Sequence, residues 1–184
     1  EAKVAIKKQD EKELEKISQK ILTLKKEILS MKKLIFVDEV TNTLNRKWIY
    51  KRLLNEETSF KEKGTIALVF INDYDTIIKK YGQNIADNIL IYITKFLTKI
   101  FNEQNLNIDI AKYSENKFIL VCKNQDEIFL QKLLKDIKEQ ISKTTLKSKS
   151  GIILKTQFEF TISTFTKNEL FQTCIDTLIH KERG

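Results

Sequence analysis

Few side chains in this chain could bind a transition metal through sulfur or imidazole. The 184 residues contain two cysteines, Cys122 and Cys174, and a single histidine. The cysteines lie within apolar patterns and are not spaced as metal ligands, so a zinc site would lack ligands. We therefore expect reduced cysteines in the hydrophobic core of a cytoplasmic protein, and neither a metal site nor a cofactor.

A polar turn and three aspartates are the other places where chemistry could occur. Residues 114–117 (Ser-Glu-Asn-Lys) separate two predicted strands of a hairpin. Asp73 and Asp75 open a predicted helix, where negative charge interacts favourably with the helix dipole. Asp87 lies near the start of the next predicted helix. Its carboxylate could take part in binding, or it could cap that helix or form an ion pair there.

The chain is basic, with 33 Lys and Arg against 25 Asp and Glu and a net charge of +8. Only Arg46, Arg52 and Arg183 are arginines, whereas base and phosphate recognition favours arginine. Lys143, Lys147 and Lys149 form a basic patch in a predicted loop. We interpret the lysines as solvated surface and predict no nucleic-acid partner.

Neither a membrane span nor a secretion signal is recognisable in the sequence. There is no run of about 18 apolar residues and no charged-then-apolar opening segment. Because the sequence begins with Glu1 rather than Met, we expect a piece of a longer protein. We expect it to be cytoplasmic, or the cytoplasmic part of a larger protein.

Residues 1–37 are predicted to form one helix with an apolar seam that repeats every 3.5 residues, as in a coiled coil. The seam consists of Leu14, Ile17, Ile21, Leu24, Ile28, Met31 and Ile35. Such a helix cannot bury its seam alone, so it either pairs with a second copy or packs on its own domain. We expect a homodimer through this helix. Leu22 and Leu29 widen the apolar stripe and keep the second interpretation open.

Residues 38–184 show alternating helix and strand patterns and form the second predicted domain. We predict helices over 45–58, 73–80, 84–101, 126–142 and 167–182, and strands over 65–71, 107–113, 118–122, 151–155 and 158–164. A split β-α-β arrangement with a central hairpin predicts an α+β fold of the ferredoxin-like, nucleotide-cyclase type, with helices flanking a central antiparallel sheet.

Four strings in this second domain resemble the GGDEF family, the diguanylate cyclases that condense two GTP into cyclic di-GMP. The strings are residues 38–46 (Asp-Glu-Val-Thr-Asn-Thr-Leu-Asn-Arg), 81–90 (Tyr-Gly-Gln-Asn-Ile-Ala-Asp-Asn-Ile-Leu), 112–118 (Lys-Tyr-Ser-Glu-Asn-Lys-Phe) and 161–163 (Thr-Ile-Ser). The third matches the family signature Arg-Tyr-Gly-Gly-Asp/Glu-Glu-Phe. A coiled coil leading into Asp38 is also typical of the family.

The resemblance implies a degenerate signature, comprising Ser114, Glu115, Asn116, Lys117 and Phe118. The family holds Mg²⁺ with a carboxylate at the end of the first strand and another at the third letter of the signature. Phe70 and Asn116 occupy these positions, and Lys117 replaces the following glutamate. Ser114 and Glu115 replace two glycines that let the backbone approach phosphates.

The base-binding and product-binding positions are also altered. The family's guanine-contacting Asn corresponds to Ile78, whereas the guanine-contacting Asp is retained as Asp87. The inhibitory product site needs Arg-x-x-Asp, and Asn105 and Ile108 stand at those ends. An alternative register would place Asp73 and Asp75 at the metal positions, but it deletes three residues from the following helix.

We therefore expect a catalytically inactive, dimerising regulatory or partner-binding module of bacterial signalling with an unknown protein partner. Three alternatives remain open. One is a nucleotide sensor for GTP or cyclic di-GMP that tunes an attached output domain through Asp87, Ser114 and Asn116. Another is a residual nucleotide phosphohydrolase that uses Asp73 or Asp75. The last is a coiled-coil scaffold whose globular part only docks partners.

Overall fold

A 35-residue helix, α1 (Ala2–Phe36), belongs to the first of two units into which the chain divides, residues 1–37 and 38–184. The computed structural model describes residues 2–147, 151 and 153–183. All seven side chains of the predicted seam are exposed on α1. Among the described residues, no helix is long and apolar enough to cross a membrane.

The second unit combines helices and strands. In chain order its elements are α2 (Arg46–Trp48), a π-helical turn (Ile49–Leu53), β1 (Gly64–Phe70), α3 (Tyr74–Tyr81), α4 (Gln83–Glu103), β2 (Ile108–Lys112), β3 (Lys117–Cys122), α5 (Glu127–Ser142), β4 (Thr145–Lys147), β5 (Ile153–Lys155), β6 (Glu159–Phe165) and α6 (Phe171–Arg183). The side chain of Asn45 caps α2, and that of Asp126 caps α5.

The main sheet has four strands in the order β2-β3-β1-β6, and all neighbours are antiparallel. β1 is internal and has helices on both faces, which explains why its sequence is a continuous apolar run. Residues 65–70 are all buried. The predicted α+β, ferredoxin-like class is confirmed.

One face of the sheet packs against α4 and α5. Alternate β1 residues, Ala67 and Val69, lie on this face. The helices contribute apolar side chains at helical spacing, namely Ile89, Ile93, Leu97, Leu130, Leu134 and Ile137. Thr94 is also buried on α4, where its hydroxyl donates to the carbonyl of Leu90 (2.8 Å). This core holds the helices that follow β1 and β3 against the sheet.

The opposite face packs against the π-helical turn and α6. Ile66, Leu68 and Phe70 of β1 lie there, with Ile175 and Leu178 of α6. Phe60 stacks on Phe165 with ring centroids 3.9 Å apart. Gly64 lies so close to this pair that a Cβ would be 2.7 Å from Phe165 Cζ. This core fixes α6 against the strands.

The segment predicted as one helix over 45–58 is shorter and irregular. The chain leaves the π-helical turn at Leu54, whose φ of −107° and ψ of 154° are extended. Leu54 then forms an antiparallel bridge with Phe60. Burial of Phe60 in the second core requires this reversal, so tertiary packing overrides the helical pattern.

β4 lies in the predicted loop after α5 and pairs with β5, which lies within the predicted strand 151–155. Thr145 pairs with Lys155, and Lys147 pairs with Ile153. Of the predicted basic patch, Lys143 follows α5, Lys147 belongs to β4, and Lys149 lies outside the described residues. The strands are only three residues long and largely exposed, so they carry little apolar pattern.

Both cysteines are free thiols in the core. Cys122 ends β3, and Cys174 lies on α6 against the second face of the sheet. Burial raises the pKa of Cys174 to about 12. The Cys174 thiol is therefore protonated at neutral pH.

Candidate functional site

The turn between β2 and β3 (residues 113–117) meets the end of β1. Phe70, the last residue of β1, pairs with Lys117, the first residue of β3. Backbone N–H groups of Tyr113 and Ser114 both donate to the carbonyl of Lys117, at 2.9 and 3.2 Å. These bonds close the tip of the hairpin, and the pairing of Phe70 with Lys117 holds it next to the end of β1.

Lys117 fills the space beside the end of β1. Its ammonium lies 5.2 Å from the centroid of the Phe70 ring and 2.5 Å from the carboxylate of Glu182 on α6. Both charged side chains are largely shielded from solvent, with 22% and 20% exposed. The two side chains therefore form a neutral ion pair that joins the hairpin to α6 beside the end of β1.

Asn116 is fixed by two hydrogen bonds to one neighbour. Its side-chain amide donates to the carbonyl of Ile71 (2.9 Å), and the N–H of Ile71 donates to the Asn116 carbonyl (3.2 Å). Asn116 thereby extends the β1–β3 pairing by one residue beyond Phe70. Its amide nitrogen serves the backbone rather than the adjoining cleft.

A cleft of about 620 Å³ lies beside this turn and the start of α3. We call it the acidic cleft, because four of its lining residues carry carboxylates: Asp73, Asp75, Glu115 and Glu182. Ser114, Asn116 and Tyr74 also line it, while no lysine or arginine does. Across the described residues, no three His, Cys, Asp or Glu side chains are grouped to hold a metal ion.

The connection into α3 brings the aspartates to this cleft. Asp73 precedes α3 with a φ of +56°, a left-handed conformation that turns the chain from β1 into the helix. Asp75 lies in the first turn of α3, as the pattern predicted. Both side chains are exposed.

Asp87 lies on α4 and is already engaged. Its carboxylate accepts a hydrogen bond from Gln83 Nε2 (2.8 Å) and a longer one from the Tyr74 hydroxyl (3.5 Å). Burial raises the pKa of Tyr74, and the carboxylates of Asp87 and Glu115 add to the effect. Asp87 thus reaches the acidic cleft through Tyr74, whereas Ser114 and Asn116 line it directly.

The segment before α2 contacts the same hairpin from the other side. The carboxylate of Asp38 accepts bonds from the N–H and hydroxyl of Thr41 (2.9 and 2.7 Å) and pairs with Lys112 (3.4 Å). The Arg46 guanidinium lies 4.9 Å from the centroid of the Tyr113 ring. Two of the four strings quoted above are therefore adjacent in space.

Glu182 is the site residue that sequence reasoning missed. It is 65 positions from Lys117 and lies in a charged helix end with no motif, so no local signal identifies it. The structure also locates the other positions at which this chain departs from the family pattern. Ile78 packs against the first core, Asn105 is in an exposed left-handed turn, and Ile108 begins β2.

Comparison with known proteins identifies the fold. A solved structure of the coiled coil and GGDEF domain of DgcB from Caulobacter crescentus, in complex with c-di-GMP, is 16% identical with a TM-score of 0.70, covering 92% of this chain and 90% of that one. The DgcB GGDEF domain in complex with c-di-GMP gives 16% identity and a TM-score of 0.67, covering 79% and 84%.

A third structure is the diguanylate cyclase SiaD in complex with its activator SiaC from Pseudomonas aeruginosa. It is 14% identical with a TM-score of 0.69, covering 92% of this chain and 65% of that one. A search of curated protein sequences found no match. The family model "Diguanylate cyclase, GGDEF domain" matches residues 35–179, and the chain therefore belongs to the GGDEF family.

Proposed function

We propose that this GGDEF domain makes no cyclic di-GMP and instead serves as a dimerising, regulatory or partner-binding module in bacterial signalling. The observation that carries the proposal is the position of the Lys117 ammonium, over Phe70 and paired with Glu182. The family resemblance assigns Mg²⁺ to this end of β1. The ammonium fills the space beside the end of β1 and is already paired with a carboxylate, and a phenyl ring offers a divalent cation no oxygen ligand.

The carboxyl groups that are present do not fit a magnesium triphosphate either. Asn116 contributes no charge, and its amide is bonded to Ile71. The carboxylates of Asp73, Asp75 and Glu115 would repel a triphosphate in this cleft, and no lysine or arginine among the described residues lines the cleft to offset that repulsion. At about 5 Å and an effective dielectric of about 20, each like-charge pair costs about 3 kcal/mol before screening.

The dimerising part of the proposal depends on α1. Its seam repeats at coiled-coil spacing, and every seam side chain from Leu14 to Ile35 is exposed in the single chain. Burial of this stripe against a second copy would remove it from water. A dimeric helix that continues from an input domain would also set the distance and rotation of two GGDEF domains, which is a route for a signal.

The direct experiment is incubation of the purified chain with GTP and either Mg²⁺ or Mn²⁺, followed by chromatography of the nucleotides. We expect no cyclic di-GMP above the level found without protein. A GGDEF protein with the intact Gly-Gly-Asp-Glu-Phe signature provides the positive control. Robust production of cyclic di-GMP by this chain would contradict the proposal.

Nucleotide sensing and residual hydrolysis are weaker proposals. Calorimetry with GTP, GDP, ATP and cyclic di-GMP tests the sensor, and the absence of binding heat up to about 1 mM ligand would exclude nucleotide sensing.

For hydrolysis, the test is replacement of both Asp73 and Asp75 by Asn. If any GTP hydrolysis were unchanged in that variant, these two residues would not be responsible.

A further inference from the structure

The outer edge of β2 is only partly covered. Leu44 forms a parallel bridge with Ala111, in which its N–H donates to the Ile110 carbonyl and its carbonyl accepts from the Lys112 N–H. Alternate residues of a strand direct their backbone groups to the same side. The N–H and carbonyl of Ile108 and the N–H of Ile110 therefore also point away from β3. Within the described part of the chain, none of these three groups has a hydrogen-bond partner.

The other edge of the sheet is protected differently. On β6, the outward carbonyl of Ile162 accepts a hydrogen bond from the ammonium of Lys181 (2.7 Å). Lys181 lies on α6, and covering a strand edge with a helix is a common device against pairing with further strands. Among the described residues, no side chain binds the outward backbone groups in the first half of β2 in this way. An unpaired strand edge is a template for another extended chain.

A cleft of about 730 Å³ runs along the uncovered part of β2. One wall is the C-terminal half of α4, and the other is the segment 41–44. Apolar side chains of Phe101, Leu106 and Ile110 line it between these walls. The wall formed by α4 also carries Lys95 and Lys99. The cleft therefore adjoins backbone donors and acceptors at strand spacing and offers apolar surface for alternate side chains.

Asp109 adds a charge at this edge. It alternates along β2 with Ile108 and Ile110, so its side chain lies on the sheet face opposite to α4 and the lysines of that helix. It is half-buried, and none of the described side chains forms a hydrogen bond or ion pair with its carboxylate. Burial raises the pKa of Asp109, and the charge of Lys123 only partly offsets this. Lys123 itself pairs with Glu62 at 2.7 Å. A cation brought next to Asp109 would compensate a carboxylate that the fold leaves without a close partner.

We propose that the outer edge of β2 binds an extended peptide segment of a partner protein as an added strand, with a lysine or arginine of that peptide on Asp109. The backbone groups of Ile108 and Ile110 select an extended chain, and Asp109 selects a basic residue within it. This proposal goes beyond the loss of cyclase activity and is independent of it, because none of these residues lines the acidic cleft.

A second copy of this chain fits the edge less well than a basic peptide. Symmetric antiparallel pairing centred on Ile108 places Asn107 opposite Asp109, and pairing centred on Asp109 places two aspartates opposite each other. Neither arrangement supplies a cation, and like charges directly opposite are destabilising.

The test uses a capped octapeptide that alternates threonine and valine and carries one central lysine. Amide hydrogen exchange of the full chain is followed by NMR as the peptide is added. We expect exchange at Ile108 and Ile110 to slow by at least about tenfold at saturation, because both amides become hydrogen-bonded. A peptide with glutamate in place of lysine should bind at least about fivefold more weakly, as should the Asp109→Asn variant with the lysine peptide.

Ile108→Pro gives a second, independent variant. The proline removes the outward N–H of residue 108 but no hydrogen bond between β2 and β3, and edge strands tolerate proline at such positions. Thermal unfolding verifies that the variant is folded. We expect it to lose peptide binding. Three results would overturn the proposal: unchanged exchange at about 2 mM peptide, equal binding of a backbone N-methylated peptide, or protection of Ile108 and Ile110 that rises with protein concentration without peptide. The last would assign the edge to a second copy.

Discussion

The ammonium of Lys117 and the carboxylate of Glu182 form an ion pair of 2.5 Å that joins the β2–β3 turn to α6. The same ammonium lies over the ring of Phe70 at the end of β1. A residue that departs from the family signature thus has a structural role in this chain. The hairpin tip is held by an internal cation where the resemblance implies a metal ion.

Loss of this cation should destabilise the fold. Lys117→Met keeps an apolar stem over Phe70 but leaves Glu182 shielded and unpaired, which should cost about 1–3 kcal/mol of unfolding free energy in urea denaturation. Lys143→Met is the matched control. Its pair with Glu139 is more exposed, at 71% and 67%, so we expect a loss below about 1 kcal/mol. Equal losses in the two variants would contradict this assignment.

Asp38 should make stability depend on pH in the acid range. Burial alone would raise its pKa, but hydrogen bonds from Thr41 and the charge of Lys112 outweigh burial and lower it. Because the pKa is lower in the folded chain, the carboxylate stabilises the fold above the ordinary aspartate pKa, and this contribution disappears as pH falls through the folded pKa.

The corresponding variant is Asp38→Asn. It should unfold at lower urea concentration than the natural chain at neutral pH, and the difference should vanish once the pH lies below the folded pKa of Asp38. NMR titration of the carboxyl group measures that pKa directly. A constant difference between the two proteins across the acid range would show that Asp38 acts through packing rather than through its charge.

Gly64 should not accept a side chain. A Cβ at this position would lie 2.7 Å from both the Cys122 carbonyl oxygen and Phe165 Cζ, so Gly64→Ala should cost roughly 1–3 kcal/mol in thermal or urea unfolding. Gly82→Ala provides a contrast, since no atom lies within 4 Å but φ is +84°. With ψ at 163°, Gly82 adopts a conformation that is essentially restricted to glycine, so the cost should be about 1–3 kcal/mol from backbone conformation alone. A neutral Gly64→Ala variant would contradict this prediction, because β1 could accept the methyl group only if Cys122 and Phe165 moved away without cost.

Two adjacent residues on α1 can test the proposed homodimer. Ile28 belongs to the seam and Leu29 does not, yet they are similarly exposed in the single chain, at 51% and 61%. Ile28→Glu should convert a dimer to a monomer in light scattering, whereas Leu29→Glu should leave the mass unchanged. Equal effects of the two changes, or a monomeric natural chain, would exclude a dimer through this seam.

The sequence predicts the central elements well because their patterns have one simple cause. β1 is apolar throughout because both of its faces are covered, and α4 and α5 show helical spacing because one face of each is buried. The segment after Asn45 is different. Its apolar residues satisfy a helical pattern, but the chain reverses at Leu54 so that Phe60 can enter the core.

The candidate site was only partly predictable. Ser114, Asn116 and Lys117 could be located because they fall within a recognisable string. Their actual contacts depend on Ile71 and Glu182, which no spacing rule connects to that string. The same limit applies to Asp109, since its environment results from which strand lies at the edge of the sheet.

The buried thiols have a practical consequence. The chain has only two cysteines, and both lie in the core, with Cys174 protonated at neutral pH. Only an accessible thiolate can attack a maleimide or a thiol-reactive nitroxide label, so the natural chain should be nearly inert to these reagents. A single cysteine introduced at Thr23, on the exposed surface of α1, would therefore carry one label per chain and allow distances between neighbouring molecules to be measured in solution.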